Sequence, residues 1–298
     1  MIQLIIHQIW MQDNIAFKIN TELGNKIMQI NNSIVPDTIK ELMIGTVKLN
    51  KDFSYILWCE SNINDLIKEH YQKYYESFSK MTLIQKIDFA KIIIIHHFGG
   101  VYLDCDIEPI KPLNNLVAQL PSDKVIVSEA AKLNYFENNI LDKIFQLENT
   151  VKINNGALIS SKNNDFLLKL CDKIIDRINN KNLGINSIYL TNNSQIDTMR
   201  TTGPACITSF VNENKNYDKI VVLNNELFEP CLGSNPFCRE TKLSYGKHLH
   251  KSMWFADGNF WRVSSLYFYF RRYWFIFVIF IIMFFMFLCK YLKLKMFR

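Results

Sequence analysis

The stretch FGGVYLDCDIEPIKPL, Phe98 to Leu113, contains the change from helix to strand on which the predicted fold rests. The residues before it, Thr82 to His97, have a helical pattern that Gly99 and Gly100 bring to an end. The apolar run VYLDCD that follows predicts a buried strand. A helix that stops at glycines and leads directly into a strand is typical of an α/β domain.

Strands and helices alternate along most of the remaining chain. The other predicted strands are residues 2–10, YILWC, KVIVSEA, NNGALISS and KIVVLNNELFEP, and the other predicted helices are Asp37–Leu49, LIKEHYQKYYESF and NDFLLKLCDKIIDRI. This alternation predicts an α/β fold with a mostly parallel central sheet. In such sheets ligands bind outside the carboxyl ends of the strands, and LDCD lies at such an end.

Asp104 and Asp106 are the first candidate site residues. On a strand, residues two apart point to the same side, so the two carboxylates would share one face and Cys105 would face the other way, into packing. A hard divalent cation of the Mg²⁺ or Mn²⁺ type would relieve their repulsion, and it completes its shell with water and substrate phosphates. The motif therefore predicts a cation shared with a phosphorylated ligand. The alternative is a solvent-exposed turn without a metal, because Asp-x-Asp also occurs by chance in many proteins.

Two further charged residues precede the motif. Asp88 and Lys91 lie three positions apart on the predicted helix, so they share one face. They are candidates for the same site, and the alternative is a surface ion pair of little energetic consequence.

Charge excludes one class of partner. The chain has a net charge of +6, but seven of its 34 basic residues and no acidic residue lie between Arg262 and the C-terminus. The first 261 residues therefore carry 27 basic against 28 acidic residues, so the predicted globular part is not a nucleic-acid-binding domain by its charge.

Seven scattered cysteines without a C-x-x-C pair predict a mostly reduced protein. A disulfide between Cys231 and Cys238 is the alternative.

The C-terminal segment predicts membrane association. Tyr273 to Cys289 is uncharged and apolar, and seventeen helical residues span roughly 26 Å, near the lower limit for crossing a bilayer. We expect a globular domain over residues 1–263 and a membrane-anchoring helix with basic flanks over 264–298. No secretory signal opens the sequence, which favours a cytosol-facing domain, but basic residues on both flanks leave topology open. An interfacial or buried helix is the alternative.

Several motifs together resemble glycosyltransferase family 32, the DxD sugar transferases that include the yeast initiating α-1,6-mannosyltransferase and are distantly related to the clostridial glucosylating toxins. The matching stretches are LIIHQIW, YILW, KIDFAKIIIIHHFGGVYLDCDIEPIKPL, TGP and HLHKSMW. The resemblance covers roughly residues 3–113 well and 150–260 in patches. It implies a GT-A-type, Rossmann-like domain that binds a nucleotide diphosphate sugar with Mn²⁺ or Mg²⁺.

The resemblance also implies roles for the four charged residues. Asp104 matches the aspartate that contacts the donor ribose or sugar, and Asp106 matches the one that coordinates the metal at the diphosphate. Asp88 matches the helix aspartate that hydrogen-bonds the transferred sugar. Lys91 stands where the family usually has arginine, so it keeps the charge and loses the bidentate fork.

Five more residues complete the predicted site. By resemblance, Trp10 stacks on the nucleobase, Ser252 and Trp254 contact the diphosphate, and His250 is a further metal ligand. Asn155 lies in NNG, where a predicted strand begins beside a turn, and is a further candidate for contact with the donor. The alternatives are a core position for Trp10 and a solvated loop histidine at His250.

These observations predict a metal-dependent retaining glycosyltransferase that moves a hexosyl or N-acetylhexosaminyl group to a hydroxyl of a glycan, glycolipid or protein. Two alternatives stay open. Lys91 in place of arginine suggests a catalytically degenerate, membrane-tethered sugar-binding or scaffold protein, and the two aspartates would also suit a nucleotidyltransferase. Serine-hydrolase and phosphate-loop motifs are absent from the sequence.

Overall fold

The computed structural model describes residues 1–11, 17–18, 34–130, 151–180, 194–214, 218–231, 239–251, 273–274, 278–279 and 281–286. The chain divides into two compact units. The first consists of Met1–Gly233 and Arg239–Trp254, and the second consists of Ser234–Cys238 and Phe255–Arg298. The elements described next all belong to the first unit.

A seven-stranded sheet forms the centre of the first unit, in the order β2-β3-β1-β4-β7-β6-β8. Only β2 and β7 run against the other five strands, so the predicted mostly parallel sheet of an α/β fold is confirmed. A separate ribbon pairs β5 with β9. The strands are β1 Ile5–Ile9, β2 Phe17–Lys18, β3 Ser54–Trp58, β4 Gly100–Leu103, β5 Ile107–Pro109, β6 Val125–Glu129, β7 Ile153–Ser160, β8 Ile220–Leu223 and β9 Gly246–His248.

Helices cover both faces of the sheet, and two apolar cores result. One core packs β-strand side chains against α2, α3, α4, α6 and α8, and the other packs them against α1 and α5. The alternation along β4 shows the division, because Tyr102 belongs to the first core while Val101 and Leu103 belong to the second. The helices are α1 Asp37–Leu49, α2 Glu60–His70, α3 Gln72–Ser79, α4 Leu83–Phe98, α5 Asn114–Val117, α6 Asp165–Asn180, α7 Ser194–Thr201 and α8 Pro204–Glu213.

The glycine pair at the end of α4 has a steric cause. Gly99 and Gly100 have φ angles of 69° and 100°, a region that side chains disfavour. A Cβ on Gly100 would also collide with the carbonyl oxygen of Ile5 on the neighbouring strand. The pair therefore lets α4 end and β4 begin within one residue, and this places Asp88 and Asp104 at the same edge of the sheet.

Two predicted elements differ from the structure in extent. The pattern LIKEHYQKYYESF forms two helices, α2 and α3, which meet at the half-turn around Tyr71. The late strand KIVVLNNELFEP is shorter than predicted, since β8 ends at Leu223 and a 3₁₀ turn follows over Asn225–Leu227. Asn224 begins that turn by accepting a hydrogen bond from the Glu226 amide at 2.9 Å, a turn-forming role that asparagine side chains favour.

Most of the predicted membrane segment, 264–298, lies outside the described residues. Residues 281–286 are helical, and their side chains are exposed. Among the residues that the structure describes, no helix combines the length and the apolar character needed to cross a bilayer.

The cysteines are only partly as predicted. Cys59, Cys105, Cys171 and Cys206 are free and buried. Cys231 is bonded in a disulfide, and Cys238 lies outside the described residues. A disulfide is typical of an oxidising compartment rather than the cytosol.

His7 on β1 is fully buried between the strands and α4. Its Nε2 donates to the Gly99 carbonyl at 2.9 Å, and its Nδ1 accepts from the Trp58 indole at 3.1 Å. This pattern requires the neutral ring. Burial lowers the pKa of His7 from 6.5 to about 4, partly offset by the bond to Gly99.

His7 should make the fold acid-sensitive. Below pH 6.5 the unfolded chain takes up a proton at His7 that the folded chain does not, so stability falls from pH 6.5 towards pH 4. The loss should reach about 3 kcal/mol. In urea unfolding at pH 7 and pH 4.5, His7→Gln should show a smaller difference than the native chain, whereas the exposed control His70→Gln should keep it. Equal pH dependence in His7→Gln and the native chain would contradict this.

Candidate active site

The two motif aspartates lie in a turn directly after β4. The strand ends at Leu103, so the prediction that both carboxylates lie on a strand is wrong. Asp104 and Asp106 are brought together by the turn instead, in which the Ile107 amide donates to the Asp104 carbonyl at 3.1 Å. Cys105 points away, as predicted, and its thiol bonds the carbonyl of Ile9 on β1 at 3.2 Å.

Asp104 is oriented by neighbouring strands of the sheet. The Tyr102 hydroxyl donates to Asp104 Oδ1 at 2.8 Å, and the Asp104 amide donates to the Gly156 carbonyl on β7 at 2.8 Å. Gln8 on β1 donates to the Asp104 carbonyl at 3.2 Å and is held in turn by the Tyr55 hydroxyl. The carboxylate is fixed while its side chain keeps 24% of its surface exposed.

Asp88 and Lys91 form a buried ion pair beneath this turn, not a surface pair. Lys91 Nζ lies 2.9 Å from Asp88 Oδ1 and 2.9 Å from the Asn155 carbonyl oxygen. The side-chain amide of Asn155 donates to Asp88 Oδ1 at 2.8 Å, and the Thr202 hydroxyl donates to Asp88 Oδ2 at 3.0 Å. Lys91 also lies 4.0 Å from Asp104 Oδ1, so the helix pair and the motif form one cluster.

Lys91 is charged in this cluster. Burial alone would lower the pKa of its ammonium group, but the carboxylates of Asp88, Asp104 and Asp106 outweigh burial and raise it. The buried ammonium offsets part of the negative charge that α4 and the motif turn bring together. At Asp88 burial still dominates and raises the pKa of the carboxyl group, although Lys91 and the Thr202 hydroxyl reduce the shift.

The β5–β9 ribbon closes the other side of the turn. Ile107 pairs with His248, and the amides of Leu249 and Lys251 donate to the carbonyl oxygen and Oδ2 of Asp106, at 3.0 Å and 2.8 Å. The ribbon places His248 Nε2 3.2 Å from Asp106 Oδ1 and 3.9 Å from Asp104 Oδ2. A histidine that the resemblance had not singled out therefore faces the motif.

His250 lies behind His248. The two rings stack with centroids 3.9 Å apart, and His250 Nε2 lies 2.7 Å from Glu229 Oε1. Burial alone would raise the pKa of Asp106, but His248, His250 and the Lys251 amide bring it down to about 2. Burial likewise would lower the pKa of His248, and Asp106 and Glu229 raise it well above 6.5. The histidines therefore favour the ionised form of Asp106.

These residues fit a divalent cation. Asp104, Asp106 and His248 can each offer one ligand atom, and the three atoms lie within 4.8 Å of one another. The carboxylate oxygens suit a hard cation such as Mg²⁺ or Mn²⁺, and the imidazole nitrogen adds a ligand typical of transition metals. The backbone leaves room for them at Gly156, where a Cβ would lie 3.1 Å from Asp104 Oδ2 and 3.0 Å from His248 Cε1.

The other predicted site residues lie in different surroundings. Asn155 joins the site through Asp88, as described above. Trp10 follows β1, is partly buried against the second core, and donates from its indole to the Ile34 carbonyl at 2.9 Å. Ser252 and Trp254 lie outside the described residues, so their predicted contact with a diphosphate stays a prediction.

Sequence reasoning missed four members of the cluster: Tyr102, Thr202, Glu229 and His248. Thr202 is the first residue of the TGP motif, and each residue of the motif has its own role. Thr202 donates to Asp88, Gly203 packs so closely that a Cβ would lie 2.9 Å from Met199 Cα, and Pro204 begins α8. The HxH spacing in HLHKSMW was a signal for His248, but nothing in the sequence around Glu229 marks it.

Residues 36–123 match the family of glycosyltransferase sugar-binding regions containing the DXD motif. Inositol phosphoceramide mannosyltransferase 1 of Schizosaccharomyces pombe is 29% identical over 41% of this chain. Mannosyl phosphorylinositol ceramide synthase SUR1 of Saccharomyces cerevisiae is 32% identical over 28% of it, and an uncharacterized glycosyltransferase of Acanthamoeba polyphaga mimivirus is 28% identical over 39%.

These matches are partial. The chain covers 34%, 22% and 40% of the length of those three relatives. Among solved structures, the PaToxG glycosyltransferase has a TM-score of 0.40 at 14% identity, with 72% of this chain and 70% of that chain covered. The ligand-free glycosyltransferase domain of the YGT toxin has a TM-score of 0.34 at 13% identity, with coverages of 67% and 59%.

Removing the buried ammonium should destabilise the fold. Lys91→Met leaves Asp88 and Asp104 without their cation, and breaking a buried ion pair typically costs about 3–5 kcal/mol. Chemical denaturation should therefore show a large drop in unfolding free energy. The control Lys80→Met breaks an exposed pair with Glu76 and should change little. A loss in Lys91→Met no larger than in Lys80→Met would contradict a buried, charged Lys91.

Proposed function

We propose that the chain is a metal-dependent hexosyltransferase with a nucleotide diphosphate sugar as donor, and the match of residues 36–123 to glycosyltransferase sugar-binding regions containing the DXD motif supports this. One observation carries the proposal. The turn of Asp104 and Asp106 lies between a buried lysine and a histidine ribbon, which holds two carboxylates close together beside positive charge. Such a pair suits a cation that is shared with a diphosphate.

The metal belongs to the proposal as well. Asp104, Asp106 and a histidine would hold it, with His248 nearest to the two aspartates and His250 the ligand implied by resemblance. A bound Mn²⁺ or Mg²⁺ would supply positive charge for the leaving diphosphate. Asp106, whose Oδ2 is oriented by the Lys251 amide, is the principal ligand in this scheme.

The donor sugar would lie above Asp88 and Asp104. Asp104 keeps part of its surface exposed and is oriented by Tyr102, so it can accept a hydrogen bond from a ribose or sugar hydroxyl. Lys91 lies below both carboxylates and adds positive electrostatic potential where charge grows on the departing diphosphate. Trp10, Asn155, Ser252 and Trp254 are proposed to bind the nucleobase, sugar and diphosphate, as the resemblance and the sequence suggest.

We propose that the configuration at the anomeric carbon is retained without a covalent intermediate. Asp88 is engaged through both oxygens by Lys91, Asn155 and Thr202. A carboxylate held in this way is a poor nucleophile for a double displacement. A same-face reaction, in which the leaving phosphate assists the acceptor hydroxyl, needs no free carboxylate from the protein.

Mannose is the first donor sugar to test, because two of the relatives are named for mannosyl transfer to an inositol phosphoceramide. The acceptor in the proposal is a hydroxyl of a glycolipid, with glycan and protein acceptors as the alternatives. A lipid acceptor is consistent with the apolar C-terminal segment.

We propose that residues 264–298 attach the enzyme to a membrane. The disulfide at Cys231 favours a domain in an oxidising compartment over a cytosolic one.

The metal assignment predicts which variants lose activity. Asp106→Asn and Asp104→Asn should each abolish Mn²⁺-dependent release of nucleoside diphosphate from a panel of mannose and glucose donors on GDP and UDP. Each removes a negative charge at the cation, while circular dichroism should show a folded chain. The exposed control Asp123→Asn should keep native activity. Near-native activity in either motif variant would refute the assignment, and a native chain inactive with every donor and not stabilised thermally by any would favour a scaffold protein.

Membrane attachment predicts a second set of results. The native chain should float with phosphatidylcholine–phosphatidylserine vesicles in a density gradient, because residues 281–286 present exposed apolar side chains. Ile281→Lys with Phe285→Lys should remain in the soluble fraction, since charges within the apolar segment oppose insertion. Leu243→Lys, on an exposed loop of the first unit, should float like the native chain. A native chain that stays soluble would refute the attachment.

A further inference from the structure

Glu229 is a buried carboxylate that the proposed reaction does not use. It follows the 3₁₀ turn Asn225–Leu227, and its amide donates to the Asn225 carbonyl at 2.7 Å. Only 3% of its surface is exposed. An ionised carboxylate at that depth is unfavourable unless positive partners surround it.

The carboxylate faces two imidazoles at once. Glu229 Oε1 lies 2.7 Å from His250 Nε2, and Oε2 lies 3.9 Å from His248 Nδ1. The stacked arrangement of the two rings places both nitrogens on the side of the carboxylate. His250 adopts a φ of 48°, which is uncommon outside glycine, and holds this orientation at some backbone strain.

His248 connects Glu229 with the DXD turn. Its Nδ1 faces Glu229 and the Asn154 amide, and its Nε2 faces Asp106 at 3.2 Å. The β5–β9 ribbon fixes the backbone of His248 but not the rotation of its ring. The rotation therefore depends on the side chains on the far side of the ring, of which Glu229 is the charged one among the described residues.

We propose that Glu229 is a positioning residue that, together with the stacked ring of His250, orients His248 towards Asp106 and Asp104 and so sets the affinity of the site for a divalent cation. The inference rests on the metal dependence proposed above. A metal-bound imidazole commonly donates its other N–H to a carboxylate, which fixes the ring and makes it a better ligand. Glu229 is placed for this role, because its Oε2 faces His248 Nδ1 while Nε2 of the same ring faces Asp106.

The alternative is that Glu229 and the histidines are an ion-pair network that contributes only to stability. Mn²⁺ binding separates the two. We suggest measuring the full-length chain by electron paramagnetic resonance, first with Mn²⁺ alone and then with GDP or UDP added. The signal of unbound Mn²⁺ gives the Kd of the site, and the spin-echo modulation from ¹⁴N of a coordinated imidazole shows whether a histidine is a ligand. The variants are Glu229→Gln, which keeps the shape, Glu229→Asp, which keeps the charge, and the control Glu226→Gln from the same turn.

Glu229→Gln should raise the Kd for Mn²⁺ roughly 10- to 100-fold and weaken the ¹⁴N modulation, with unchanged circular dichroism. Glu229→Asp should fall between it and the native chain, and Glu226→Gln should match the native chain. Native affinity and native ¹⁴N modulation in Glu229→Gln would overturn the inference. If Glu229→Gln does not fold, Glu229→Asp decides, and native affinity there overturns it. A native chain that binds no Mn²⁺ under any condition instead refutes the proposed metal dependence.

Discussion

The buried ammonium of Lys91 is the interaction on which the rest of the site depends. It lies within 4.0 Å of Asp88 and Asp104 and has almost no exposed surface. The ammonium offsets part of the negative charge that three aspartates bring together from one helix and one turn. The glycine pair between α4 and β4 serves the same arrangement, because it lets the helix and the turn reach a common edge of the sheet.

Positive charge reaches the motif turn from two opposite directions. Lys91 approaches Asp104 from α4, and His248 approaches Asp106 from β9. Each cation is itself held by another carboxylate, Asp88 for the lysine and Glu229 for the histidine. The four carboxylates still outnumber Lys91 and His248, so the turn keeps excess negative charge. In the proposed function a divalent cation would offset this excess and would also face the diphosphate of the donor.

The sequence was sufficient for the elements but not for the contacts between them. The alternation of strands and helices predicted the α/β class, and α4 began and ended within a residue of its predicted bounds. Asp88 and Lys91 were placed on one face, yet their burial was not predictable, because it depends on β7 supplying Asn155 and on the α7–α8 junction supplying Thr202. His248 and Glu229 come from still further along the chain. Lys251, three residues past His248, bonds an aspartate 145 residues before it, and no local pattern encodes such a pairing.

Lys91 stands where the resemblance implies an arginine, and this geometry explains how a lysine can serve there. Lys91 directs two of its three N–H groups to Asp88 and the Asn155 carbonyl, and its side chain is almost fully buried. Asp104, which a guanidinium fork could bind with two parallel bonds, instead accepts the Tyr102 hydroxyl on Oδ1. The tyrosine supplies the directional bond and the lysine supplies the charge, which are the two properties that arginine combines. The substitution therefore leaves Asp104 both oriented and compensated, and it does not by itself indicate a degenerate site.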